Sequence, residues 1–210
     1  MNNDMNRLRN TLGILGIFLP ILTLIFNLAF GEGFNPPGVL SSISATHYSS
    51  SYLLFEGLVM GVGLFLLCYR GYDVKDRICT ILAGAGAIAL TLFPCSLGGT
   101  ETRNFLMLPQ NVTNIVHLSS AFLFFGSLII LIAFQFTKTG EGTVRPGSRK
   151  WRRNILYRVC AAVMGGALVI GFGGARLFGL GYLVFAGEWA ALWAFGLAWL
   201  VKGGLILHDV

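Results

Sequence analysis

Charge is scarce in this sequence. Asp, Glu, Lys and Arg together make up 11% of the 210 residues, against about 25% in soluble domains. A water-soluble domain of this length cannot cover its surface with so few charges, so lipid must be part of its solvent. Histidine is sparser still: His47, His117 and His208 are all there is. The four cysteines, Cys68, Cys79, Cys95 and Cys160, form no CxxC and no Cys/His ligand spacing. That pattern gives neither a disulfide framework nor a zinc module, and small buried apolar residues are the expected reading. No internal repeat, low-complexity tract or soluble domain interrupts the chain, and with no repeat the usual transporter architecture is not expected. The net charge of +6 comes with no motif of a nucleic-acid recognition module, so no nucleic-acid partner is expected.

What is present is apolar. Hydrophobic residues make up 55% of the chain and mean hydropathy is +0.72. A membrane-spanning helix needs about 20 mostly apolar residues. Six stretches qualify: 11–30, 51–69, 77–95, 113–136, 155–176 and 181–206. The expected fold is all-α, one polytopic transmembrane domain over 1–210, with a tight turn near Gly179 joining the last two helices. Arg7 and Arg9 ahead of the first run resemble a signal peptide. The run is too long for a typical apolar signal core and no small-x-small cleavage site follows, so a retained helix is expected. Of the 15 Lys and Arg residues, all but Arg103 and Arg176 fall on one side of this arrangement. The positive-inside rule makes that side cytoplasmic, with both termini there and loops 31–50 and 96–112 facing outward. The basic loop 137–154 is then the cytoplasmic anchor, with Trp151 at the interface. A bacterial inner membrane is the expected location.

Ionisable residues inside spans are costly, and each is a functional candidate. Glu56, His117 and Glu188 lie roughly 8, 6 and 10 Å below the outer ends of helices 2, 4 and 6, from a rise of about 1.5 Å per residue. His47 and Tyr48 stand just above them, and Arg103 in the next outer loop offers a cation to an anionic headgroup. Glu188, Leu192, Phe195, Trp199 and Lys202 fall on one helical stripe, expected to face the bundle interior. Lys202, near the inner end, is expected to extend toward the cytoplasmic headgroups. Glycines in helices 3 and 5 suit close packing; Gly57 and Gly61 form a GxxxG in helix 2.

The segments SSISATHYSSSYLLFEGLVMGVGLFLLCYRGYD (41–73), AGAGAIALTLFPCS (83–96), VHLSSAFLFFGSL (116–128), RRNILYRVC (152–160) and EWAALWAFGLAWLVKGG (188–204) together resemble an uncharacterised family of bacterial six-span integral membrane proteins. More distantly, the FP…H…AFLFF arrangement is similar to the DRAM/Sfk-type family. The resemblance implies six helices. It implies no activity and no catalytic residues.

Three functions fit these residues. One is a lipid or small apolar ligand held in an outer-leaflet pocket between helices 2, 4 and 6, lined by Glu56, His117, Glu188, His47, Tyr48 and Arg103. Another is an intramembrane enzyme or metalloprotein using Glu56, His117 and Glu188; two His and two Glu suit zinc or iron, but no paired spacing fixes a geometry. The third is a structural or accessory subunit whose polar residues only hold the bundle together. A three-histidine zinc hydrolase of the alkaline-ceramidase type is set aside, because His208 falls on the opposite side from His47 and His117. A retinal protein is set aside because Lys202 is near the end of a sixth helix, not midway in a seventh. No cofactor and no catalytic residue is expected. Membrane lipid is the expected partner, with a helix-mediated oligomer or a partner membrane protein also compatible.

Overall fold

The computed structural model describes residues 2–30, 40–97, 104–139 and 143–207. The described residues contain six long helices and no strand: α1 (Asn2–Phe30), α2 (Tyr52–Cys68), α3 (Val74–Leu92), α4 (Gln110–Ile130), α5 (Arg149–Phe178) and α6 (Tyr182–Lys202). A short 3-10 turn, Ser44–Tyr48, precedes α2, and a π-helical turn, Leu131–Gln135, extends α4. Four of the helices, α1, α4 with its π turn, α5 and α6, are long and apolar enough to cross a membrane. That is compatible with a multi-pass membrane protein.

Local chemistry sets the ends. α3 stops at Leu92, three residues short of the expected end at 95. Pro94 drives Phe93 out of the α region, and Phe93 takes φ −128° and ψ 93°. Asp73 caps α3 by accepting from the Asp76 amide at 3.0 Å. Arg77 Nη1 donates to the Leu67 and Tyr69 carbonyls at 2.6 and 2.8 Å, closing the open end of α2. α5 starts at Arg149, ahead of the expected 155, because Ser148 accepts from the Trp151 amide and caps it there. The turn into α6 has the expected Gly179, at φ 68°.

α6 is the most buried of the four long apolar helices. Of its apolar window 61% is buried inside the bundle, against 28–39% for the other three long apolar helices. Small residues allow this. A Cβ added at Gly187 would lie 2.5 Å from the Ala167 carbonyl oxygen of α5, and one at Gly196 would lie 2.7 Å from the Gly13 oxygen of α1. The helices run in the order α5, α6, α1, α2, α3, α4, each packed along the next. α4 and α5 touch only sparsely along the helix itself and meet again at the π turn. A seam between them follows directly.

The interior stripe on α6 is as expected. Glu188, Leu192, Phe195 and Trp199 are all buried. Trp199 is the hub of an aromatic column, with ring centroids 4.9 Å from Tyr69, 5.0 Å from Phe136 and 6.1 Å from Phe195. The π turn delivers Phe136: its amide reaches back to the Leu131 carbonyl at 3.0 Å, and the wider turn carries Gln135 and Phe136 inward. Glycines in α3 do pack tightly; a Cβ at Gly86 would meet Phe124 N and Ser120 O of α4, both at 2.8 Å. Gly57 and Gly61 instead face open space, so their GxxxG is no contact within this chain. Gly187→Ala should therefore lower stability by about 1–3 kcal/mol through overpacking. Gly57→Ala should leave the unfolding midpoint in detergent unchanged or slightly higher, read by a thermal-unfolding assay.

Candidate functional site

The polar residues singled out in the sequence do lie at one end of the bundle, the end that carries segment 40–51. They do not share a centre. Glu56 Oε1 on α2 lies 2.6 Å from His47 Nδ1 in the 3-10 turn. Tyr48 donates its hydroxyl proton to the Cys95 carbonyl, beyond the end of α3. Gln110 Nε2 at the start of α4 donates to the same carbonyl and to the Tyr48 oxygen, both at 3.2 Å. His117 on α4 is buried, and its Nδ1 donates to the Phe93 carbonyl at 2.8 Å. Glu188 Oε2 on α6 accepts from the Ile43 amide at 2.5 Å. Arg103 and His208 lie outside the described residues.

A single rule accounts for the pairings with backbone atoms. Backbone groups at helix ends and in loops have no intrahelical partner, and once buried they need one from elsewhere in the chain. His117 occupies the carbonyl orphaned when Pro94 ends α3. Glu188 caps the amino end of the 3-10 turn, where the backbone dipole favours a carboxylate. Ser50 donates to the Phe30 carbonyl, at the end of α1.

Several residues of this network escaped the sequence reading. Asn27 is fully buried in α1. It accepts from the Ser51 hydroxyl and donates to Thr46 Oγ1, the latter at 3.3 Å. Ser49 Oγ donates to the Thr46 carbonyl at 2.8 Å and lies 2.9 Å from Ser51 Oγ. The signal was there: an amide inside an apolar run, and a Ser/Thr-dense SSISATHYSSS, both suited to local backbone bonding. Segment 40–51 is thus a plug, with Leu40, Ile43, Ala45 and Thr46 buried in the mouth of the bundle.

Two apolar spaces meet at Glu188. A small internal cavity of about 40 Å³ lies under the plug, lined by α1, α2, α3, α4 and α6 residues including Phe55, Phe125 and Leu192. A larger groove of about 270 Å³ runs along the α4/α5 seam. Its walls include Leu118, Phe122 and Gly126 from α4 and Gly165, Val169 and Phe172 from α5, with Glu188 behind. Glu188 and Phe125 line both spaces. The groove opens sideways: Phe122 is 82% and Val169 72% exposed on its rim. Glycine creates part of the space, since a Cβ at Gly126 would meet nothing within 4 Å. Among the described residues, no three His, Cys, Asp or Glu side chains converge to hold a metal ion.

The opposite end holds a second polar cluster. Lys202 does not extend outward as expected: its Nζ lies 4.8 Å from both the Tyr72 and Phe136 ring centroids. Arg9 is buried against Tyr69 and Tyr72. Lys138 bonds Asp73 and lies 3.6 Å from Asp76. That hydrogen bond holds the Asp73 carboxyl below its ordinary range and raises the Lys138 ammonium above its own. The pair's contribution is lost in acid as Asp73 protonates and in base as Lys138 deprotonates, and both groups are exposed enough to keep it small.

No family model, no curated protein and no solved structure matches this chain. The geometry therefore carries the functional argument alone. Glu188→Ala should leave the Ile43 amide without its acceptor, at a cost of about 1–3 kcal/mol, and loosen the plug. Limited proteolysis between residues 40 and 51 should accelerate in that variant and stay near wild type in Glu188→Gln, which keeps an acceptor oxygen.

Proposed function

We propose that this chain is a six-span membrane protein, with both termini cytoplasmic, that holds the hydrocarbon chain of a membrane lipid in the α4/α5 seam. The observation that carries the reading is the laterally open apolar groove of about 270 Å³ ending on Glu188. A pocket for a water-soluble ligand opens to water; this one opens where the exposed side chains are Phe122, Leu118, Val169 and Phe172. The lining is almost wholly hydrocarbon and aromatic, suited to an acyl chain by dispersion and burial. The carboxyl group behind it is bonded to the Ile43 amide, and offers its remaining acceptor capacity to a hydroxyl or amide at a ligand's polar end.

The span count draws support from helix length. α2 and α3 have 17 and 19 residues, about 26 and 29 Å at 1.5 Å per residue, close to a hydrocarbon core of about 30 Å. They pack in succession between α1 and α4. The charge asymmetry of the loops supports the orientation, and a bacterial inner membrane, like kinship with the six-span family that the sequence resembles, belongs to this proposal. The site so proposed lies between α4 and α5 with α6 behind, displaced from the helix 2, 4 and 6 position expected from sequence. The outer polar layer favours a structural role for Glu56, His47, Tyr48 and His117, each already bonded. Those same bonds leave the intramembrane-enzyme alternative with less support.

Gly126→Leu places a side chain in the groove without a backbone clash and replaces glycine with a better helix former. Lipid mass spectrometry of the purified protein should find co-purifying lipid in wild type and a severalfold loss in Gly126→Leu, with the unfolding midpoint preserved. Equal lipid content in the two proteins would sink the groove as a binding site.

A further inference from the structure

The seam groove has a small chamber behind it. Glu188 and Phe125 line both the groove and the cavity of about 40 Å³ beneath the plug. That inner cavity has room for about three water-sized groups, since one takes about 10–15 Å³. Ser44 and Glu188 are the polar side chains of its wall, and the rest is apolar, with Phe55, Val59 and Phe195 among it. No Lys, Arg or His is among the described residues that line either space. Glu188 is only 8% exposed. Its Oε2 accepts from the Ile43 amide at 2.5 Å, and the Ser44 amide faces the same carboxyl group. Two amides fill two of about four lone-pair positions on a carboxylate. The others are left for whatever enters from the groove.

We propose that the seam selects a single-chain lipid whose polar end is an uncharged hydroxyl group, with its chain in the groove and the hydroxyl donating to Glu188. This rests on the seam being a lipid site, and adds which lipid it prefers. Phe125, only partly buried, is the side chain that turns aside to join the two spaces. A carboxylate accepts hydrogen bonds and donates none, so an ether or ester end leaves it unpaired and a hydroxyl does not. An anionic end meets like charge and no cation in the walls, where low dielectric makes that repulsion strong. An ammonium end brings attraction, but it has three donors to satisfy. The inner cavity offers it Glu188 and the Ser44 hydroxyl, so the cost of stripping its water is the larger effect. A phospholipid headgroup is too large and too charged for the inner cavity, so a phospholipid places only an acyl chain in the groove.

The test is native mass spectrometry of the detergent-solubilised full chain with oleyl alcohol, its methyl ether, oleate and oleylamine, at a pH that keeps the last two charged. Wild type should bind the alcohol roughly tenfold more tightly than the ether, the scale of one hydrogen bond to a charged acceptor, and oleate should bind weakest. Glu188→Gln keeps an oxygen for the two amides but turns an NH2 group toward the cavity. Alcohol and ether should then bind within about twofold of each other, and oleate should gain. Proteolysis of segment 40–51 should stay near wild type in that variant, so a disturbed fold does not account for the change. Gly126→Leu should weaken all four probes. If no probe binds, or Gly126→Leu weakens none, the groove reading fails and this one with it. If Gly126→Leu weakens all four but wild type holds alcohol and ether equally, the groove stands and the hydroxyl assignment is overturned. Tightest binding of oleylamine, or an alcohol preference undiminished in Glu188→Gln, would overturn it as well.

Discussion

A backbone amide or carbonyl left unpaired in hydrocarbon is among the most expensive groups a chain can bury. Much of this structure is arranged around that constraint. Where helices end or the chain turns inside the bundle, a polar side chain meets the orphaned group. Glu188 takes the Ile43 amide, His117 the Phe93 carbonyl, Tyr48 and Gln110 the Cys95 carbonyl, and Arg77 the last carbonyls of α2. The Glu188 bond matters most, because it seats segment 40–51 in the mouth of the bundle. Asn27, Thr46 and Ser51 then bind that segment to α1.

With the mouth plugged, the open side of the bundle is lateral. α6 is deeply buried because Gly187 and Gly196 let α5 and α1 approach its backbone. Following the packing outward through α1, α2 and α3 leads to α4, which meets α5 only sparsely. Gly126 and Gly165 on the facing surfaces leave space where larger residues would close the ring. The same residue type thus has opposite uses: in α6 it removes distance between helices, and in the seam it leaves a gap. The column from Phe195 through Trp199 to Phe136 fills the interior toward the other end.

The helices were legible from apolar runs, and the interior stripe of α6 from the spacing of Glu188, Leu192, Phe195 and Trp199. That Glu56, His117 and Glu188 lie toward one end of the bundle was legible too, since position along a helix follows from helical rise. What joins them was not. Their partners include backbone atoms, Ile43 N and Phe93 O, which every residue has and no residue type announces. The α4/α5 seam was equally hidden, because it depends on which helices are neighbours, and a lone run of residues does not carry that information. Lys202 was misjudged for a related reason: snorkelling assumes lipid around the side chain, whereas Tyr72 and Phe136 come from distant segments to flank it. Pro94 ends α3, and the carbonyl it exposes is the one His117 serves.

The most direct measurement is photo-crosslinking in bilayers with a phospholipid that carries a diazirine within its acyl chain, followed by peptide mapping. Labelling concentrated on 118–129 of α4 and 165–172 of α5, and reduced by Gly126→Leu, is the expected result. Labelling spread evenly over the exposed apolar faces of α1, α2 and α5, unchanged in that variant, would contradict a lipid-binding seam.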